Sequence, residues 1–207
     1  YARGDAATAN FDIYVLDLTT PGATPVNITS SSNVTDDRPA WSPDGTRIAY
    51  ESEVTDGSGQ TDILIQPAPG GGAVTNLTGT PGAFEGKPAW TPDSQTLFYQ
   101  SGNPNAPVNA NIVRRPATGG AQTLAVADSG ISEFQPSISP DGTKVCFTLS
   151  NAGFNATADV LVAPVTQPPS GGVVVSKSIV AGDYNCTFSP DGQFVAYVTG
   201  IFGTGQL

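Results

Sequence analysis

Four acidic residues recur at matching places along this 207-residue chain. Each stands three positions before a Pro, or before the Cys that replaces the Pro in the last copy: Asp36, Glu85, Glu133 and Asp183. Because equivalent positions of a repeat occupy equivalent places in a fold, we expect a ring of carboxylates. Such a ring could hold a cation through oxygen ligands or receive a basic partner. We favour a simpler role, in which the acids tie loops to neighbouring repeats.

The loop 56–62 is a second candidate site, because oxygen-bearing side chains alternate along it. These side chains belong to Asp56, Ser58, Gln60 and Asp62, spaced as in calcium-binding loops. The loop lacks the acidic density and the terminal Glu of an EF-hand, so ordinary Asx turns explain its composition better. Calcium is therefore a hypothesis for this loop, and the sequence requires no cofactor.

Catalysis finds little support in the residue types present. The chain contains no His, which rules out the usual Ser–His and Cys–His activation of a nucleophile. Zinc sites built on His are excluded for the same reason. No feature marks a pair of carboxylates for acid–base chemistry. We expect a protein that is not an enzyme.

The charge of the chain restricts its partners. The formal net charge is −10, and the eight basic residues are scattered. Nucleic acid is disfavoured, because binding it requires clustered Lys and Arg to neutralise phosphates. No run of about 18 apolar residues occurs, so we expect no membrane insertion. A protein partner or self-association remains.

Several features suit an exported protein, extracellular or periplasmic. Lys is scarce, Thr, Ser, Asn and Gly are frequent, and the abrupt start at Tyr1 suggests a processed product or a segment of a longer chain. Glycosylation sequons begin at Asn27, Asn33, Asn76 and Asn155, with a poorer candidate at Asn185. Cys146 and Cys186 could form a disulfide, although two buried thiols would fit the apolar pattern around them equally well.

A repeated turn organises the whole chain. The four copies are Ser42-Pro43-Asp44-Gly45, Thr91-Pro92-Asp93-Ser94, Ser139-Pro140-Asp141-Gly142 and Ser189-Pro190-Asp191-Gly192. Pro presets the first corner, Asp tolerates the second, and Gly takes the left-handed position that follows. Ser94 in that left-handed position should cost about 1 kcal/mol, which predicts a looser second turn.

Short apolar runs bracket each turn and predict a hairpin, followed by a third strand and a weaker fourth. In the last full repeat, which contains the third turn, this fourth strand is predicted at 178–181. The central strands are apolar on both faces, so each four-stranded sheet must be covered on both sides. Sheets stacked face to face around an axis satisfy this requirement. The sequence predicts an all-β chain that forms one β-propeller domain over residues 1–207, with four antiparallel blades.

The pattern P-x-W-S-P-D-G-x-x-I-x-Y, followed by D-I-x-V, resembles the TolB-like or WD40-like β-propeller repeat. Departures occur at Ser94 and at Cys186, which replaces the Pro. The resemblance implies an interaction or gating module, found also as the propeller domain of prolyl-oligopeptidase-like peptidases. In a propeller the acidic ring would surround one mouth of the channel. Arg38, Lys87, Gln135 and Asn185 lie just behind it and could neutralise or hydrogen-bond the acids.

The phase of the repeat at the two ends allows two ways of closing the ring. Tyr1 matches Tyr50, so the chain is expected to open with the third and fourth strands of a blade and to finish with the first and second. The two halves could join in one chain and close a four-bladed ring, which we favour. They could instead complete the blades of other copies, which would produce a dimer or a fibre. We favour a non-catalytic, exported interaction scaffold that binds a protein or ligand at a channel mouth. The alternatives are an extracellular structural subunit that assembles through such strand exchange, and the propeller domain of a larger secreted hydrolase.

Overall fold

The described part of the protein is all-β, with seventeen strands. A computed structural model describes residues 1–4, 10–30, 33–54, 58–103, 106–126, 132–150, 158–165, 173–176 and 182–200. These residues contain no helix, and hence no helix able to cross a membrane. The strands are β1 (Ala2–Gly4), β2 (Phe11–Val15), β3 (Val26–Asn27), β4 (Val34–Trp41), β5 (Arg47–Val54), β6 (Thr61–Pro67), β7 (Thr75–Asn76), β8 (Phe84–Trp90), β9 (Thr96–Asn103), β10 (Ala106–Pro116), β11 (Thr123–Leu124), β12 (Ser132–Ile138), β13 (Lys144–Ser150), β14 (Ala158–Pro164), β15 (Val173–Ser176), β16 (Gly182–Phe188) and β17 (Val195–Gly200).

The strands form five antiparallel units in chain order, which we name sheets A to E. Sheet A is β1–β3, sheet B is β4–β7, sheet C is β8–β11, sheet D is β12–β15, and sheet E is β16–β17. A single parallel bridge between Thr61 and Phe84 links sheets B and C. The three central sheets are thus four-stranded, as the repeat predicts.

Each repeated turn closes the hairpin between the first two strands of its sheet. In sheet B, the Gly45 N–H donates to the Ser42 carbonyl at 2.8 Å, and the Ser42 hydroxyl donates to Asp44 Oδ1 at 2.6 Å. Trp41 is then paired with Ile48 across the hairpin. The turn fixes the register, and the register decides which side chains face each neighbouring sheet.

The hydrophobic core lies between consecutive sheets. Ile63 and Ile65 of sheet B pack in one cluster with Leu97 and Tyr99 of sheet C. A second cluster joins sheet C to sheet D, through residues such as Phe98 and Val145. Neighbouring residues of one strand serve opposite faces, since Leu97, Phe98 and Tyr99 are all fully buried. Sheets stacked face to face therefore shelter the central strands on both sides.

The two ends of the stack differ from the expectation. The four-bladed clasp is not confirmed, because within the described residues sheet A is hydrogen-bonded to neither β16 nor β17. Tyr197 and Val198 of sheet E are 43% and 57% exposed, whereas their counterparts in the central sheets are buried. The chain also opens with the short strand β1, paired with β2, rather than directly with a third strand.

The fourth strand of the last full repeat also lies elsewhere. It is β15 at Val173–Ser176, paired with β14, and the predicted segment 178–181 falls outside the described residues. The β-branched run at 173–175 has a high strand propensity, which the prediction underestimated.

Candidate functional site

A pocket of about 310 Å³ lies where the first strands of four successive sheets converge. We call it the bulge pocket. Its lining consists of two consecutive residues from each of sheets B to E: Arg38 and Pro39, Lys87 and Pro88, Gln135 and Pro136, and Asn185 and Cys186. The repeat thus brings equivalent positions together, as expected for sheets that stand around a common axis.

A β-bulge in each first strand places these residues. The register of β4 against β5 shifts between Asp37 and Ala40, and β8, β12 and β16 shift at the equivalent point. The first lining residue of each pair has a left-handed backbone, with φ between 50° and 56°. A non-Gly residue in this conformation costs about 1–2 kcal/mol, so the surrounding contacts must hold it there.

The holding contacts come from the preceding sheet. The Lys87 N–H donates to Oε1 of Glu51, the Gln135 N–H donates to Oε1 of Gln100 at 3.3 Å, and the Asn185 N–H donates to Oε1 of Gln135 at 3.1 Å. Three left-handed residues are therefore fixed by side-chain oxygens of the sheet before them. In sheet B the Arg38 N–H donates instead to its neighbour Asp37, at 2.6 Å.

The charged groups of the site cluster around Glu51. The Arg38 guanidinium lies 2.6 Å from Glu51 Oε2 through Nη1, and the same nitrogen is 3.5 Å from Asp37. Burial raises the pKa of Glu51, while Arg38 acts in the opposite direction. Burial, reinforced by the charge of Arg38, lowers the pKa of Lys87. A Cβ at Gly86 would lie 2.6 Å from Glu51 Oε1, so a larger residue there would force the Glu51 carboxylate to shift.

The four predicted ring acids do not line this pocket. Asp36, Glu85, Glu133 and Asp183 are only 1–3% exposed. Glu133 Oε2 accepts the Ile112 N–H of the preceding sheet at 3.1 Å, which is the tying role that we favoured from the sequence. Burial raises the pKa of Glu85. The ring around a channel mouth stays a prediction for these acids, and the bulge pocket is lined instead by the residues two positions later.

The Asn-x-Thr segments of sheets A and B perform the same tying task within one sheet. In sheet B, the Thr78 hydroxyl accepts the Ile63 N–H at 3.0 Å and donates to Asp62 at 3.3 Å. The Asn76 amide nitrogen donates to Asp62 at 2.9 Å. Thr29 and Asn27 make the corresponding contacts with Asp12. Sheet C has Val126 in place of this Thr, and there the Glu133 carboxylate accepts the equivalent N–H, that of Ile112.

These contacts involve two of the four predicted glycosylation sites. Asn27 and Asn76 each use the amide nitrogen that a glycan would occupy, and Asn155 lies outside the described residues; Asn33 precedes β4. Glycosylation stays a prediction at all four.

The calcium hypothesis also stays a prediction. Asp56 lies outside the described residues. Asp62 binds Asn76, Gln60 Oε1 accepts the Gly82 N–H at 3.1 Å, and the Ser58 hydroxyl accepts the Gln60 N–H at 3.2 Å. Across the described ranges, no group of three or more His, Cys, Asp or Glu side chains could hold a metal ion.

Cys146 of β13 and Cys186 of β16 form a disulfide, with their Cα atoms 6.2 Å apart. Both are buried with Val160 in a cluster between sheets D and E. Cys186 also lines the bulge pocket. The bond therefore ties sheet E to sheet D at the position where the other first strands carry Pro.

Comparison with solved structures shows the fold. The TolB structure from Acinetobacter baumannii superposes with a TM-score of 0.73 at 22% identity, covering 99% of this chain and 47% of that one. The TolB structure from Agrobacterium tumefaciens gives a TM-score of 0.72 at 22% identity, covering 93% and 64%. A puromycin-hydrolysing peptidase of Mycobacterium tuberculosis gives 0.65 at 15%, covering 96% and 33%.

The chain spans less than two thirds of the length of either TolB chain. A search of the curated proteins found no match to this sequence. The family described as the TolB beta propeller domain matches residues 6–166, which is more than half of the chain. The resemblance in the repeated turn and the strands around it is confirmed, and the chain belongs to the TolB beta propeller domain family.

Proposed function

We propose that the chain is a non-catalytic interaction scaffold that receives a peptide segment of a partner protein in the bulge pocket. One observation carries the proposal: four successive sheets present their equivalent residue to a single pocket, each in a left-handed conformation. Conformations of this kind are costly and persist where the surroundings impose them, often at binding sites. Arg38, Lys87, Gln135 and Asn185 supply convergent hydrogen-bond donors of the kind that orient a ligand.

The chemistry of these side chains supports binding rather than catalysis. A guanidinium, an ammonium and two amides offer neither a nucleophile nor a general base matched to neutral pH. The chain has no His anywhere to supply one. The similarity to a peptidase concerns the fold alone, at 15% identity. It supports a third candidate, in which this chain would be the propeller part of a larger secreted hydrolase.

Export is part of the proposal, to an extracellular or periplasmic location. A disulfide between sheets D and E suits an oxidising compartment. No cofactor is needed for the proposed binding.

A peptide selection tests the scaffold function. Peptides selected from a displayed random library against the folded chain should bind the wild type and lose binding to the Lys87→Glu variant. Lys144→Glu changes an exposed residue at the start of β13 and serves as the matched control. Peptides that bind both variants as well as the wild type would show that the pocket is not the binding site.

Self-assembly is the second candidate, favoured by the state of sheet E. Its second strand leaves Tyr197 and Val198 exposed, and no described residue of sheet A is hydrogen-bonded to it. Strands from a second copy could complete this blade, as could closure within one chain into a four-bladed ring. Light scattering separates the two: a mass near 21.1 kDa supports closure in one chain, and a multiple of it supports exchange.

A further inference from the structure

The bulge pocket carries an unusual choice of residues. Gly takes a left-handed backbone at little cost, and twelve described Gly residues of this chain have positive φ. Yet the four equivalent pocket positions carry Arg38, Lys87, Gln135 and Asn185. The side chains must therefore contribute something that Gly could not.

Internal contacts explain two of the four side chains. Arg38 pairs with Glu51, and Gln135 accepts the N–H of Asn185. Lys87 is different: its backbone N–H is bound by Glu51, but its ammonium makes no ion pair within the part of the chain that the structure describes. A Lys kept in a costly conformation, at a pocket and without an ion-pair partner there, indicates a ligand of opposite charge.

The electrostatics of the pocket point the same way. None of its lining residues is acidic, although the chain as a whole has a net charge of −10. Burial lowers the pKa of Lys87, and the nearby charge of Arg38 lowers it further. Both ion pairs of Arg38 use Nη1, which leaves the N–H groups of Nη2 and Nε to offer a ligand. A ligand carboxylate beside Lys87 would add to the attraction that Glu51 and Asp37 already exert on its charge.

We propose that the bulge pocket binds a carboxylate group of a peptide ligand, held by Arg38 and Lys87 and hydrogen-bonded by the amides of Gln135 and Asn185. A planar carboxylate matches the fork of a guanidinium. Glu51 and Asp37 pair with Nη1 of Arg38, so the groups that remain for the ligand are the other guanidinium N–H groups, the Lys87 ammonium and the two amides. This inference rests on the proposed function and specifies its ligand chemistry.

Dye-labelled peptides of matched sequence test the inference with the full chain. One pair, blocked at both ends, is Gly-Ser-Glu-Glu-Ser-Gly and its Gln-Gln counterpart. A second pair, Gly-Ser-Gly-Ser-Gly, ends in a free or an amidated carboxyl group, and so separates a side-chain source of the carboxylate from a terminal one. Fluorescence anisotropy should show that at least one carboxylate peptide binds about tenfold more tightly than its neutral twin.

Two variants locate the effect. Lys87→Gln should weaken the carboxylate peptide about tenfold, while Lys144→Gln should leave its affinity unchanged. The side-chain amide resonances of Gln135 and Asn185 in ¹⁵N NMR spectra report pocket occupancy whatever the charge of the ligand. They should shift with the carboxylate peptide, and excess inorganic phosphate should not displace it.

The outcomes separate this inference from the proposed function. Neutral peptides that bind equally well and shift both amide resonances would overturn the carboxylate and keep the scaffold function. Displacement by inorganic phosphate, or equal effects of the two Lys variants, would also overturn the carboxylate. Peptides that bind without moving either resonance would overturn both, and so would the absence of binding by every peptide, charged or neutral.

Discussion

The Ser94 hydroxyl accepts a hydrogen bond from the N–H of Asp44, 50 residues earlier, at 3.1 Å. The contact joins two of the repeated turns, in sheets B and C. The Ser94 carbonyl also accepts from the Arg47 guanidinium, which stacks 4.8 Å from the centre of the Trp90 ring. Ser94 has φ of +59°, so the expected strain is present, but its side chain makes a contact that Gly could not.

Substitutions at Ser94 should separate these two effects. Ser94→Ala keeps the strain and loses the hydrogen bond, and we expect a loss of about 1 kcal/mol in the free energy of unfolding. Ser94→Gly loses the same hydrogen bond but relieves the strain, so it should be nearly neutral. Urea unfolding measures both. If Ser94→Gly proved the more destabilised of the two, the balance described here would be wrong.

The hydroxyl of Thr78 should matter more than its size. Thr78→Val removes the acceptor for the buried Ile63 N–H and should cost about 1–3 kcal/mol. Thr78→Ser keeps the hydroxyl and should cost clearly less. Urea unfolding of the two variants makes the comparison. A larger loss for Thr78→Ser than for Thr78→Val would show that packing of the methyl group, which only Val keeps, carries the effect rather than the hydrogen bond.

Glu85 should make stability depend on pH. Burial raises its pKa above the ordinary 4.5, so the folded state binds the proton more tightly than the unfolded state. The contribution of protonated Glu85 to the free energy of unfolding is therefore present below about pH 4.5. It is lost as the pH rises through the pKa that Glu85 has in the folded state.

Glu85→Gln should abolish this loss. The urea midpoint of the variant, relative to the wild type, should rise between pH 4 and pH 8. Glu53→Gln, which removes a charge from an exposed side chain of β5, controls for the change in net charge. A midpoint difference for Glu85→Gln that stayed constant with pH would contradict the assigned direction of the pKa shift.

The disulfide should contribute substantially to stability. It closes a loop of 40 residues, for which loop entropy predicts about 3–4 kcal/mol. Reduction of the wild type should lower the denaturation midpoint, whereas the double variant Cys146→Ala and Cys186→Ala should not respond to reductant. A wild type that is equally stable with and without reductant would show that sheet E docks independently of the bond.

The sequence predicts the sheets well because their signals are local. The turns recur every 48 to 50 residues, and runs such as Leu97-Phe98-Tyr99 are apolar on both faces. The pocket is harder to predict, because a one-residue bulge changes which side of a strand the following side chains face. No propensity marks Lys87 as left-handed. A polar residue directly before the strand Pro is the signal that could have identified the position.

Closure of the ring could not be predicted for a different reason. Sheet A and sheet E would each supply part of one blade. The sequence pattern of their pairing is the same whether the two sheets belong to one chain or to two. Tyr1 and Tyr197 match in phase in both arrangements, so local sequence carries no preference.

The contacts that fix the left-handed residues all run in one direction along the chain. Glu51, Gln100 and Gln135 provide acceptors for sheets that follow them, and Arg38 relies on its own neighbour. A ribosome releases the N-terminal part of a protein first. Each new sheet therefore emerges when the group that satisfies its costly residue has already been synthesised, and the stack can grow without waiting for any later segment.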